Sequence, residues 1–334
     1  MRLRAVREEQ PAPDDFRWSR NRDDQATRSA ASELVISEAE IRLMQTVAQD
    51  VFSVRPEIVD ATVGELAYQG GMGNFNLDEK TSCRIWSRGG KPKAYAIYWP
   101  PGSLDCWQVH PDHPELLEEI LDWFESVADS AEPSNMQVRD SEADAERLIQ
   151  ARGFLHDETA PFMRLNLRDL NEIEEPQLPK GYRLRTVSEY DGDISKRIAV
   201  HQTSWAEFGT RVTAETYPGV MRTWPYRSDL DFMVEDADGR PVAFALGWYD
   251  EANRVGEFEP VGTDPAARRL GLGRAVNLFG LQRFRDAGAT RAVVACRGDE
   301  GHPAPRQLYE SVGFREISRQ RKYVRLAAQR SARR

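Results

Sequence analysis

The stretch Glu257-Phe258-Glu259-Pro260-Val261-Gly262-Thr263-Asp264-Pro265-Ala266-Ala267-Arg268-Arg269-Leu270-Gly271-Leu272-Gly273-Arg274 decides the fold. From Val255 to Thr263, small or apolar residues alternate with Glu257 and Glu259, which predicts a strand with both glutamates on one face. Arg268-x-x-Gly271-x-Gly273 then reads as a basic glycine turn, and beyond it Ala275, Val276, Leu278, Phe279, Leu281 and Phe284 recur at helical spacing. A strand, a glycine turn and a helix in succession offer backbone N–H groups to an anion. The first four amides of a helix lack an internal partner, and the helix dipole places partial positive charge there. Gly271 and Gly273 remove Cβ atoms that would hold the anion off, and Arg268, Arg269 and Arg274 add charged donors. The spacing matches neither the six-position dinucleotide fingerprint nor the Gly-Lys-Ser/Thr loop of NTPases. These residues predict a diphosphate cradle.

Working outward, Ala292 to Cys296 reads as a strand, Pro305 to Val312 as a helix and Arg315 to Leu326 as a last strand. Upstream of the cradle come a strand at Tyr182 to Arg185 and helices at Ile194 to Glu207 and Thr213 to Met221. Strands at Asp231 to Glu235 and Val242 to Tyr249 follow, joined by the Asp238-Gly239 turn. The first half runs through the same order. A helix opens at Ser37 with Glu40 completing a capping box, and Val59 to Gln69 continues as a second helix. Gly70-Gly71-Met72-Gly73-Asn74 reads as a loop. A hairpin (Cys83 to Ser87, Ala94 to Trp99), a strand at Asp105 to Val109 and a helix at Glu115 to Ala128 come next. A strand at Met136 to Val138, a helix at Ser141 to Arg152 and a strand at Phe162 to Leu167 complete the half.

This repetition reads as a tandem duplication: a flexible segment 1–32, a first domain 33–170, a linker 171–180 containing Pro176 and Pro179, and a second domain 181–334. The halves are chemically unequal. Where the second carries Arg268 to Gly273, the first passes from His110-Pro111-Asp112 into a helix whose Glu115, Glu118 and Glu119 would repel a diphosphate. Ile149 stands where the second half has Tyr309. The first half is therefore expected to be scaffold, or a wall of an acceptor site.

Residue by residue, Arg268-x-x-Gly271-x-Gly273 resembles the pyrophosphate loop of the GNAT superfamily of N-acetyltransferases. Leu308-Tyr309-Glu310-Ser311-Val312-Gly313-Phe314 likewise resembles that family's Leu-Tyr-Glu-x-x-Gly-Phe signature. The resemblance is motif-specific over 181–326 and rests on element order over 37–167. The tandem layout is similar to that of mycothiol synthase-like actinobacterial acetyltransferases. It implies an α/β (α+β) fold of two tandem GNAT units, each a mixed, mostly antiparallel sheet flanked by helices. It also implies acetyl-CoA or another acyl-CoA as co-substrate, held by Val261, Thr263, Arg268, Arg269, Leu270, Gly271, Leu272, Gly273 and Arg274.

By the same resemblance, Glu257 or Glu259 would take a proton from the primary amine of a small molecule. Tyr309 would return one to the thiolate. Glu257, eleven residues before Arg268, has the position of the catalytic glutamate in histone-type relatives. Trp205, Glu207 and Tyr226 fall in the region that forms a lid over the acceptor. Two other readings keep the fold: an acyl donor carried by an aminoacyl-tRNA or a carrier protein, or a non-catalytic CoA sensor.

The net charge of −9 argues against a general nucleic-acid or anionic-membrane surface. No apolar run is long enough to span a bilayer, and the start of the chain has no signal-peptide core. Cys83, Cys106 and Cys296 are scattered, as expected of reduced thiols in a cytoplasmic protein, monomer or homodimer. His110 and His113 lack a third ligand in view, so no metal is expected, and His302 reads as a loop residue.

Overall fold

The periodicities become eight α-helices and twelve strands among the described residues, 36–78 and 80–327, of a computed structural model. The expected flexible segment 1–32 lies outside them. Helix α1 (Glu38–Val54) starts on its capping box: the Ser37 hydroxyl accepts from the Glu40 amide, and the Glu40 carboxylate accepts from the Ser37 amide. Helix α2 (Val63–Gly71) begins at its N-cap Thr62 and takes in Gly70 and Gly71, so the loop expected there starts only at Met72. The reason is packing, since a Cβ on Gly71 would stand 2.7 Å from the Val220 Cα of a neighbouring helix. The first half continues through β1 (Ser82–Arg88), β2 (Lys91–Trp99), β3 (Ser103–Val109), α3 (Leu116–Val127), β4 (Ser134–Arg139), α4 (Ala143–Ala151), β5 (Leu155–His156) and β6 (Met163–Asp169).

The second half consists of β7 (Arg183–Thr186), α5 (Ile194–Ser204), α6 (Tyr217–Arg222), β8 (Asp231–Glu235), β9 (Pro241–Asp250), β10 (Val255–Thr263), α7 (Leu272–Asp286), β11 (Arg291–Arg297), α8 (Pro303–Ser311) and β12 (Arg315–Arg325). Helix α6 is shorter than its apolar spacing predicts. The Thr213 and Thr216 side chains accept from each other's amides, at 3.2 and 2.8 Å, and this local turn competes with helix.

The strands form one sheet in the order β1-β2-β3-β4-β12-β6-β11-β10-β9-β8-β7, with β5 on β12. Pairing is antiparallel except at β3–β4 and β10–β11. The halves exchange strands. Strand β6 lies between β11 and β12, and β12 lies between β4 and β6. The β12 ladder runs from Arg315↔Leu167 to Gln320↔Met163 on one side and from Gln320↔Arg139 to Arg325↔Ser134 on the other. Helix α2 also crosses over. Its Ala67 and Tyr68 share a buried cluster with Ile198, Tyr217, Leu246 and Trp248 of the second half. The connector 171–180 lies against the second half through Ile173 and Leu178.

Each half alone would expose an unpaired strand edge. Calorimetry of the full chain should therefore give one cooperative transition, its van't Hoff and calorimetric enthalpies agreeing. A fragment of residues 33–170, which lacks β12, should yield no dispersed amide spectrum. Two resolved transitions would contradict this.

Candidate active site

The parallel pairing of β10 with β11 covers Val255↔Arg291, Gly256↔Ala292 and Glu257↔Val293, and there it stops. Strand β10 nevertheless stays on β9 as far as Thr263, across an irregularity between Phe258 and Val261. One edge of β10 is thus released from the sheet beyond Glu257. At its end, the Asp264 carboxylate accepts from the Ala266 amide at 2.9 Å and turns the chain. Gly271 then caps α7 in the left-handed conformation (φ 78°), and nothing lies within 4 Å of where its Cβ would be. The amides of Leu272, Gly273 and Arg274 open the helix with no intrahelical acceptor. Open space, free amides and a helix dipole fit a CoA diphosphate.

The arginines divide. Arg268 folds back, its Nε 3.4 Å from the Thr263 carbonyl and its Nη2 3.5 Å from that of Ser204. Arg269 is exposed at φ 68°. Arg274 pairs with Glu174 of the connector at 2.7 Å. Leu270 is exposed, Thr263 lies beside Gly273, and the Val261 carbonyl accepts from the Trp205 indole at 3.1 Å.

The two strand glutamates have different surroundings. Buried Glu257 accepts the Thr62 hydroxyl and, at 3.0 Å, the Glu65 amide on Oε1, and the Gly64 amide at 2.8 Å on Oε2. Its carboxylate therefore sits on the N-terminus of α2, a first-half helix, and a Cβ on Gly64 would lie 2.5 Å from Oε2. Burial pushes the Glu257 pKa up to about 8; the Thr62 bond and both amides oppose this, while Glu65 reinforces it. Glu65 itself is pushed up to about 7, mainly by burial, against the pull of Arg139. Glu259 is half-buried, and its carboxylate makes no hydrogen bond among the described residues. Burial, then Glu65 and Glu257, hold its pKa well above the usual carboxylate range. Tyr309 is buried near Cys296 and Glu259, and its phenol is held protonated chiefly by burial. Burial likewise raises the Cys296 thiol to about 11, so it stays protonated, and it accepts from Asn166 at 3.5 Å.

Of the three side chains expected at the acceptor, Trp205 is held by Val261, and the Tyr226 hydroxyl donates to buried Asp231 at 3.3 Å. Glu207 is exposed in a short 3-10 turn after α5. The neighbouring Phe208 packs edge-on against His302, which caps α8, with ring centroids 5.2 Å apart. The sequence reading missed Tyr68, whose hydroxyl lies 3.5 Å from His201 Nε2 and which feels the Glu259 charge. It also missed Arg197, fully buried with Nε 2.9 Å from Asp231. No pattern in the sequence connects position 68 to strand β10.

In the first half, the corresponding parallel pair β3–β4 covers only Ser103↔Asn135 and Leu104↔Met136. Here the gap is closed. The Trp107 indole donates across it to the Gln137 carbonyl at 2.8 Å, and its backbone amide donates to Asp60 at 3.1 Å. Gln320 from β12 donates to the same carboxylate, and Arg139 holds the Val59 and Asp60 carbonyls, each at 2.9 Å. A buried indole and a hydrogen-bonded carboxylate thus bridge the divergence of β3 from β4.

A strand fork, a left-handed glycine before a helix and a following Tyr309 helix mark a GNAT-type fold. The profile of the Acetyltransferase (GNAT) family matches residues 198–314. The chain is 30% identical over 161 residues to the mycothiol acetyltransferase of Saccharomonospora viridis, a match covering 46% of this chain and 52% of that protein. It is 31% identical over 175 residues to that of Thermomonospora curvata, covering 52% and 57%. The chain thus spans about half the length of the curated relatives it matches. A tandem GNAT protein from the clavulanic acid biosynthesis pathway superimposes with TM-score 0.57 at 14% identity, over 88% of this chain and 98% of that one. A GCN5-related N-acetyltransferase from Sphaerobacter thermophilus gives 0.55 at 18% identity, over 88% and 95%. The fold is therefore a tandem GNAT fold.

Two outcomes follow for the acid cluster. Glu257→Ala leaves the Thr62 hydroxyl and two α2 amides without their acceptor, and should cost about 3 kcal/mol in urea unfolding. The raised carboxyl pKa values also set the sign of the pH dependence. A group whose folded pKa exceeds its unfolded value contributes its full stability below the unfolded value, here 4.5, and loses it as pH rises through the folded one, about 8 for Glu257. Urea midpoints should accordingly fall between about pH 5 and 8, and a rise over that window would exclude the assignment.

Proposed function

We propose that this protein is an acyl-CoA-dependent N-acetyltransferase that acylates the primary amine of a small molecule by direct attack. The observation that carries this reading is the end of the β10–β11 pairing at Glu257, on the strand that leads to the Gly271 cradle, with Tyr309 within reach of the Glu259 charge. Acetyl-CoA, when bound, supplies the thioester carbon; the amides of Leu272, Gly273 and Arg274 hold its diphosphate. Glu259 takes the proton from the acceptor ammonium; burial, then the charges of Glu65 and Glu257, raise its pKa and so its basicity. The neutral amine forms the C–N bond at the thioester carbon; as the C–S bond breaks, Tyr309 donates its proton to the thiolate, and the second proton shed by the new amide nitrogen returns to the phenolate through solvent.

A second reading gives the base role to Glu257, favoured by its pKa of about 8 and its place eleven residues before Arg268. In the first reading Glu257 instead positions α2. The acceptor screen starts from mycothiol-type amines, after the name of the relatives. The cytoplasmic location and the monomeric or dimeric state read from the sequence belong to this proposal. No helix among the described residues is long and apolar enough to cross a membrane.

Calorimetric titration should show one equivalent of acetyl-CoA bound by the wild type and none by the Gly271→Asp, Gly273→Asp double variant. With a turned-over amine, Tyr309→Phe and Glu259→Gln should each lower kcat about 100-fold with little change in the KM for acetyl-CoA. Loss confined to Glu257→Gln would move the base to Glu257. Binding without thiol release for any amine would leave a CoA sensor, and absence of binding would favour carrier- or tRNA-borne donors.

A further inference from the structure

Arg164, Asn166 and Arg168 occupy alternate positions of the first-half strand β6 and share one of its faces. All three reach into the second half. Buried Arg164 donates from Nη1 to Glu310 of α8 at 2.8 Å, and its Nε lies 2.5 Å from Glu316 of β12. Asn166 donates to the Val294 carbonyl at 3.2 Å and to the Cys296 sulfur at 3.5 Å. Arg168 donates to the carbonyl of Val312, the C-cap of α8. Two arginines of one strand face therefore hold the last turn of the helix that carries Tyr309. Tyr309 itself has no such anchor. Its ring is buried edge-on against Phe314, centroids 5.9 Å apart, and its phenol makes no hydrogen bond among the described residues.

Resting on the reading of Tyr309 as the acid, we infer that Arg164 is a positioning residue for Tyr309, acting through Glu310. The first repeat then contributes to the chemistry through the strand it inserts into the second sheet. Successive helix residues point about 100° apart, so a tether on Glu310 fixes the rotation of α8 about its axis and with it the direction of Tyr309. Side chains reach roughly 5–6 Å from a helix axis, so a turn of about 10° would move the phenol by about 1 Å. A misplacement of that size costs up to about 100-fold in rate. The Arg168 bond restrains the helix end as well, and it sets positive charge at the negative end of the helix dipole. On the other side of α8, a Cβ on Gly273 would lie 3.6 Å from Leu308, so the helix stands between the cradle and β6. Arg164 is only 8% exposed, and its pair with Glu310 is screened less than one between two surface side chains.

The test uses the full chain with acetyl-CoA and a turned-over amine. Arg164→Gln strands no carboxylate, because Glu316 keeps Arg319 at 2.6 Å and the Glu310 side chain is half exposed. Glu310→Gln cuts the same link from its exposed end, so the test stands even if Arg164→Gln fails to fold. Each substitution should lower kcat about tenfold with the KM for acetyl-CoA unchanged. Arg164→Lys, which keeps a charge for Glu310, should recover part of that loss. In a Tyr309→Phe background neither substitution should lower kcat further, because the group being positioned is gone. The same loss in both backgrounds would overturn the inference, since the link would then support the site as a whole. So would a raised KM at unchanged kcat, which would put the link on the cradle, or full activity in both variants. Failure of the underlying reading looks different: Tyr309→Phe itself would be as active as the wild type, and the inference would fall with it.

Discussion

The ladder that β12 makes with β4 on one side and β6 on the other is the constraint on which the remaining structure depends. Because β6 stands between β11 and β12, the fork at β10–β11 has a fixed wall supplied by the first half. Because β12 completes the first-half sheet, α3 and α4 have a surface to cover, and Tyr323 of β12 joins their cluster. Backbone groups left at an edge would cost far more when buried than side-chain repacking, so this pairing sets the placement of the halves before any side chain does. Helix α2 then reaches strand β10 at a defined height, where Glu257 meets its N-terminus.

That contact brings three carboxyl groups, Glu65, Glu257 and Glu259, into one partly dry region. Glu257 accepts the Thr62 hydroxyl and the Gly64 and Glu65 amides, the Thr62 backbone bears on Glu65, and Glu259 accepts none among the described residues. Like charges in low dielectric resist joint ionisation, so protons are shared across the cluster and its titration belongs to the group rather than to one residue. The ammonium acceptor of the proposed function would gain from this arrangement. A cation arriving there would relieve the like-charge repulsion within the cluster.

What could be read from the sequence was what is local in it. The capping box at Ser37, the β1–β2 hairpin, and the strand–glycine–helix order of β10 and α7 are each written within a few residues, and the structure has them at nearly the expected bounds. The left-handed Gly271 follows from the same local pattern. The extent of α2 and α6 was misjudged where one side chain or one close helix contact decided the matter, at Gly71 and at Thr213. The strand exchange was not legible, because β6 and β12 alternate in the same way whichever sheet they join. Nor were Tyr68 and Thr62: their roles come from a crossing of 191 to 195 positions, and neither carries a local sign of it. The Trp107 plug is of the same kind. An aromatic residue in a strand is ordinary, and only the divergence of β3 from β4 gives it something to fill.

The exchange has a consequence for how the chain is made. Residues 134–139 leave the ribosome long before their partners at 320–325, so the first sheet cannot close when its own sequence is complete. During the synthesis of the entire second half, β4 holds an open edge, and the Asp60 carboxylate lacks the amide of Gln320 that meets it in the finished protein. Vectorial folding, in which a leading repeat matures and then templates its successor, is therefore closed to this molecule. The nascent chain instead waits, exposed to chaperones and to wrong partners, until its last strand arrives and sets both halves at once.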